Sequence, residues 1–157
     1  AVLLTDPTFP TNWTYDTGDK FVGLTASRVA GTWRRIDFEP ELGIGKRFGN
    51  QTEGEVWAAL YFRYRGFPWD RWLTTSLALS TGLNYATDIS ALETEKARDG
   101  QGNRLMHFFS PEITFALPAA PNGELLFRFH HRSGVFGLVS DAFGGSQYGT
   151  VGLRMRF

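Results

Sequence analysis

The chain has 157 residues, sixteen basic and sixteen acidic side chains that cancel to a formal net charge of zero, and no cysteine. That is the length of one domain, without the charge excess of a nucleic-acid binder, the bridges of a disulfide scaffold or thiolate ligands for a metal. No run of eighteen apolar residues occurs, which excludes a membrane-spanning helix but not a membrane β-barrel, whose strands are apolar only at alternate positions.

Period-two alternation runs along the whole chain, and helical periodicity is hard to find. The opening "AVLL" reads as strand, and a first strand is expected near 1–5, followed by a second near 21–29. In the third, near 35–46, Ile36, Phe38, Pro40, Leu42 and Ile44 share one face, with Asp37, Glu39 and Glu41 on the other. The fourth, near 54–65, sets Ala58, Leu60, Phe62 and Tyr64 against Tyr61, Arg63 and Arg65. The fifth, near 73–87, alternates without a break from Leu73 to Tyr85, longer than most globular strands and suited to a tilted membrane span. The sixth, near 104–117, opposes Phe109, Ile113, Phe115 and Leu117 to Ser110, Glu112 and Thr114. The seventh and eighth, near 124–134 and 147–157, set Leu125, Phe127, Phe129, Val151, Leu153, Met155 and Phe157 against Arg128, His130, Thr150, Arg154 and Arg156.

The polar faces carry both signs of charge, so they can neutralise one another inside a narrow lumen while the bulky apolar faces meet lipid. A soluble sandwich with a salt-bridged outer face is the competing reading. Short turns at Ala30–Arg34, Gly66–Trp72 and Pro118–Gly123 alternate with longer connections at Asp6–Lys20, Arg47–Glu53, Asp88–Asn103 and about Gly137–Ser146. This predicts an all-β, eight-stranded, antiparallel up-and-down transmembrane β-barrel over residues 1–157, with periplasmic turns and termini and external loops. Trp33, Phe67, Trp69, Trp72 and Phe157 gather at the short-turn end as an aromatic girdle. The closing "TVGLRMRF" is similar to the insertion signal of bacterial outer-membrane barrels and predicts that compartment.

Eight strands leave an interior filled by side chains, so a pore is not expected and chemistry belongs to the outer wall, the loops or a partner. In "FRFHHRSGVF" the alternation sends His130 to the lumen and both His131 and Ser133 to the outer wall, near the external end of the strand. A histidine and a serine there are poorly matched to acyl chains. Either they sit at head-group level, where polarity costs little, or they are a base and a nucleophile facing lipid.

The stretch "FRFHHRSGVFGL" and the closing "GSQYGTVGLRMRF" resemble the end of the lipid A 3-O-deacylase (PagL-type) family of eight-stranded outer-membrane esterases. The resemblance implies that His131 is a general base, that Ser133 is the nucleophile, and that Gln147 holds the place of the glutamate that orients the histidine. Gln147 is not an acid, and Gly134 stands where the family motif has asparagine, so oxyanion donors would have to come from backbone N–H groups or Arg132. Asp141 is a carboxylate within reach only if its loop folds back.

Two functions follow: a serine esterase acting on outer-leaflet lipopolysaccharide, or a non-catalytic barrel that anchors an envelope protein partner or forms a homo-oligomer. A soluble ligand carrier is the third and weakest. No nucleic-acid partner, cofactor or metal is expected; three histidines without a carboxylate cluster, and "DGQGN" without alternating oxygen ligands, are poor metal signals. The Asn12 and Asn50 sequons and the charged run "ETEKARDG" read as loop surface.

Overall fold

The computed structural model describes residues 2–3, 14–15, 19–49, 52–89, 103–134 and 145–157, and every regular element among them is a strand. β1 (Val2–Leu3) and β2 (Thr14–Tyr15) pair only with each other. β3 (Lys20–Ser27), β4 (Gly31–Trp33), β5 (Ile36–Phe48), β6 (Glu53–Arg65), β7 (Thr74–Ala86), β8 (Leu105–Phe109), β9 (Glu112–Ala116), β10 (Gly123–Ser133) and β11 (Gly145–Met155) form one nine-stranded antiparallel sheet, with neighbours in chain order.

Two of its strands are interrupted, each beside a proline. β3 and β4 both pair with β5, and between Ser27↔Glu41 and Gly31↔Phe38 three residues face only Glu39 and Pro40. Pro40 has no N–H to give that neighbour, and the resulting bulge takes up the extra residue. β8 and β9 keep one register with β7 and with β10 across the gap. The gap falls at Ser110–Pro111, where Pro111 accepts from Phe129 N–H at 2.9 Å but cannot donate back.

The bulge corrects one expectation. Residues 30–34 were expected to be turn, yet the strand continues through Trp33 and the hairpin closes on Arg34 and Arg35 alone. A bulge shifts the side-chain parity by one, so strict alternation loses the strand where it passes Pro40. Arg34 adopts φ 56°, the left-handed conformation that a two-residue hairpin demands. A second correction concerns the first strand: Val2–Leu3 pairs with Thr14–Tyr15 and not in the main sheet, although it lies beside β11. A local hairpin partner satisfies its backbone at less entropic cost than a distant edge. Counting the two interrupted strands once each, the sheet has seven strands of full height, not eight.

The sheet curls until side chains of its first and last strands touch: Phe21 stacks on Tyr148 with ring centroids 5.4 Å apart, and Arg154 reaches Ser27. Its inner face is polar. Glu39, Glu41, Glu55, Arg63, Glu112, Arg128, His130 and Arg132 are buried, while Leu24, Leu42, Leu79, Leu83, Val151 and Leu153 are exposed on the outside. The charges nearer the short-turn end form one connected set. Arg63 binds Glu39 (2.8 Å), Glu112 (2.5 Å) and Ser76 (2.9 Å). Arg128 takes both oxygens of Glu41 (2.9 and 2.7 Å) and the second oxygen of Glu112 (2.8 Å), and Arg154 binds Glu39 (2.9 Å). Towards the long-connection end a second buried set, Arg47 with Glu53 and Glu55, and Glu55 with His130, is packed among aromatic rings: Trp57, Phe108 and Phe21 surround His130, Tyr148 stacks on Phe21, and the Trp57 indole covers Gly43 so closely that a Cβ there would fall on the ring.

Removing one member of this set leaves its partners charged and dry. Glu112→Ala is expected to cost about 3–5 kcal/mol, against about 1 kcal/mol or less for Leu153→Ala on the outer face, measured by unfolding of purified protein. Equal losses in the two variants would contradict the buried network.

Candidate active site

β10 divides its two histidines between the faces, as alternation requires. His130 is fully buried inside, with Nε2 2.9 Å from Glu55 Oε2, and Asn84 donates to the same oxygen at 2.7 Å. His131 and Ser133 lie on the outer face, both half-buried. They are two residues apart, so about 7 Å separates their Cα atoms and the side chains must lean toward one another to share a proton.

Register supplies the neighbours. His131 stands directly opposite Gln147 on β11 and Phe109 on β8; Ser133 stands opposite Gly145 and His107. Gln147 is thus brought to the position expected of it, facing the imidazole, and it is only 9 % exposed. Two complementary atoms of this pair are buried without a hydrogen-bond partner, the Nδ1 of His131 and the Oε1 of Gln147. An N–H on Nδ1 and a carbonyl oxygen fit each other, and joining them leaves Nε2 as the basic nitrogen available to Ser133. The His131 ring also stacks on Phe129, with planes 10° apart and centroids at 6.3 Å, which limits its rotation.

One expected participant is ruled out. Arg132 points to the inner face, is fully buried and donates to the backbone carbonyls of Asn103 and Arg104 at 3.0 and 3.2 Å. It lies on the other side of the sheet from Ser133, because adjacent strand residues alternate, and so cannot serve an oxyanion there. Gly134 is buried at the end of the strand; Asp141 lies outside the described residues, as do the sequon asparagines Asn12 and Asn50, most of "DGQGN" and the whole of "ETEKARDG".

Sequence reasoning missed His107. It comes to the row of Ser133 because β8 and β10 share a register, and its Nε2 is 2.8 Å from the Thr81 hydroxyl on β7. Pairing the sixth and seventh strands about the 118–123 turn would have found it. Among the described residues no group of three or more histidine, aspartate or glutamate side chains is placed to hold a metal.

Below the dyad the outer wall is hollowed. Pro111 and Gly149 present little bulk one row beneath His131, and Phe127, Phe129, Ile113 and Leu79 border a groove of about 740 Å³. The groove is two outward rows high and extends sideways across β6, β7, β9, β10 and β11, with its upper edge at Phe129 and Gly149, one step below His131, and its volume lies in the roughly 300–1,000 Å³ range of small-ligand sites. Its exposed lining is almost wholly hydrocarbon and aromatic, so it suits a chain rather than a polar ligand.

Against protein-family models, curated proteins and solved structures, the chain finds no match in any of the three comparisons.

The groove can be tested apart from any reaction. Ile113→Trp fills its centre and is expected to weaken binding of a fluorescent long-chain fatty acid by roughly tenfold, the value of one to two buried methylenes or more. Unchanged binding would mean that the hollow does not hold hydrocarbon.

Proposed function

We propose that the chain is an outer-membrane β-barrel whose outer wall carries a serine esterase site for an acyl ester of lipopolysaccharide, in the manner of the lipid A deacylases it resembles. The observation that carries the reading is the coincidence on one face of a His131–Ser133 dyad, a facing Gln147 and a hydrocarbon groove directly beneath them. Inverted polarity supports the setting: ion pairs within and a continuous apolar exterior are stable where the surroundings are apolar, and large exposed apolar surfaces are rare in water. The exposed Trp33, Trp69, Trp72 and Phe157 lie together at the short-turn end, where a membrane interface would place them. β1, lying beside β11, is the element available to complete the wall.

In this mechanism the acyl chain lies in the groove with its ester at the level of Ser133. His131 Nε2 takes the proton from Ser133 Oγ as the oxygen attacks the ester carbonyl, and backbone N–H groups at the strand end receive the oxyanion. Collapse expels the sugar alkoxide, which His131 protonates, and water then releases the acyl group from Ser133. Gln147 holds the tautomer by accepting from Nδ1–H. Lacking charge, it stabilises the imidazolium less than a carboxylate does, and turnover is correspondingly slow.

Gln147 also favours a second reading, a non-catalytic barrel that contacts lipid or an envelope partner through the same wall. Mass spectrometry of lipid A after incubation with purified protein separates the two. The esterase reading expects loss of one acyl chain with the wild type, none with Ser133→Ala, and a rate raised roughly tenfold or more by Gln147→Glu. Unchanged mass with both the wild type and Gln147→Glu would leave the non-catalytic reading in place.

A further inference from the structure

We propose that the short-turn end of the sheet is a binding site for the phosphate of an anionic glycerophospholipid. The inference rests on the membrane orientation proposed above but not on the esterase. Three arginines on this rim, Arg34, Arg35 and Arg71, are exposed and have no ion pair among the described residues, whereas Arg63, Arg65, Arg128 and Arg154 of the inner face are all paired. A shallow recess of about 670 Å³ opens there, lined by Thr32, Arg34, Arg35, Asp37, Arg65 and Gly66. The one carboxylate in it is already taken, since Asp37 accepts from Arg65 at 2.8 Å and from Thr32 at 2.7 Å. Arg35 is held at the recess wall by its bond to the Gly66 carbonyl at 2.9 Å, which occupies only one of its five N–H donors. The recess therefore offers two guanidinium groups with unused donors, the planar fork that matches phosphate oxygens.

The neighbouring rings say what carries the phosphate. The Arg34 guanidinium lies over the Trp33 ring at 4.9 Å and that of Arg71 over Trp72 at 3.6 Å, and both indoles are otherwise exposed, at 59 % and 63 %. Each pair sets a cation beside an apolar face at one level of the wall. A free anion would use only the cations and a hydrocarbon only the rings; a phospholipid uses both. Arg34 sits at φ 56° in a turn of two residues, so its side chain is set by the hairpin and not by a flexible loop.

The test uses the whole chain reconstituted into vesicles of phosphatidylcholine with a minor share of phosphatidylglycerol, with co-purifying lipid counted by native mass spectrometry. The wild type is expected to retain phosphatidylglycerol roughly tenfold over its share in the vesicle. The triple variant Arg34→Gln/Arg35→Gln/Arg71→Gln loses the preference, the single variant Arg71→Gln loses part of it, and Lys46→Gln, near the opposite end of the sheet, keeps it. These substitutions lie at exposed positions, and circular dichroism checks that the sheet is intact. Incorporation without any preference, or a preference unchanged in the triple variant, overturns the site alone. So does displacement of the lipid by inorganic phosphate at equal concentration. Failure of the wild type to incorporate overturns the membrane orientation as well.

Discussion

Glu112 is the constraint on which the rest of the structure depends. One of its oxygens takes Arg63 from β6 and the other takes Arg128 from β10, so a single carboxylate on β9 ties two strands that do not pair with each other. A buried carboxylate costs several kcal/mol unless it is fully partnered, and each partner here is shared onward, Arg63 with Glu39, Arg128 with Glu41, Glu39 with Arg154. No member can move without stranding another. A slip of one residue in any of β5, β6, β9, β10 or β11 would turn its charges outward and its apolar side chains inward, so the network fixes register around the curled sheet.

Once charges and a cluster of buried rings fill the interior, the aliphatic residues of the opposite parity have only the outside to occupy. That follows from the alternation and holds whatever surrounds the molecule. It also makes irregularities on the outer face meaningful. Along β8 and β9 the outward row passes from Phe109 through Pro111 to Ile113, and the proline both breaks the hydrogen bonding and thins the wall. Along β11, Gly149 does the same by having no side chain. The groove exists because these two low points lie beside the tall Phe127 and Phe129.

The inner and outer faces of almost every strand were legible in the sequence, because the alternation is strict and the polar side carries paired charges. Glu39, Arg63, Glu112 and Arg128 are inside and Leu42, Phe62, Ile113 and Phe127 outside, as their parity requires. What failed was local. Parity cannot see through the bulge opposite Pro40, so Trp33 was assigned to a turn; and a two-residue strand such as Val2–Leu3 carries too little pattern to say what it pairs with. Of the site, the pairing of His131 with Gln147 was implied by the family resemblance, with counting back from the C-terminus locating the residue, whereas His107 opposite Ser133 is a property of cross-strand register, which depends on where the Pro118–Gly123 turn closes. The inward direction of Arg132 was already implied by that of His130, and only the search for an oxyanion donor obscured it.

The two histidines of β10 show what decides activity in the proposed site. His130 has the carboxylate, Glu55, at 2.9 Å, but it is sealed inside the sheet among aromatic rings, where no substrate reaches it. His131 has the serine and the open face, but an amide where a carboxylate would sit. Chemistry of the proposed kind needs both conditions on the same ring, and strand geometry keeps them a wall's thickness apart. The orphaned Nδ1 of His131 and Oε1 of Gln147 are a donor and an acceptor in register, so orientation can be supplied without charge. Orientation fixes which nitrogen faces Ser133, and charge fixes how willingly that nitrogen takes a proton. With the first supplied and the second missing, His131 and Ser133 stand above an acyl-sized groove, and residue 147 is the position on which the proposed chemistry turns.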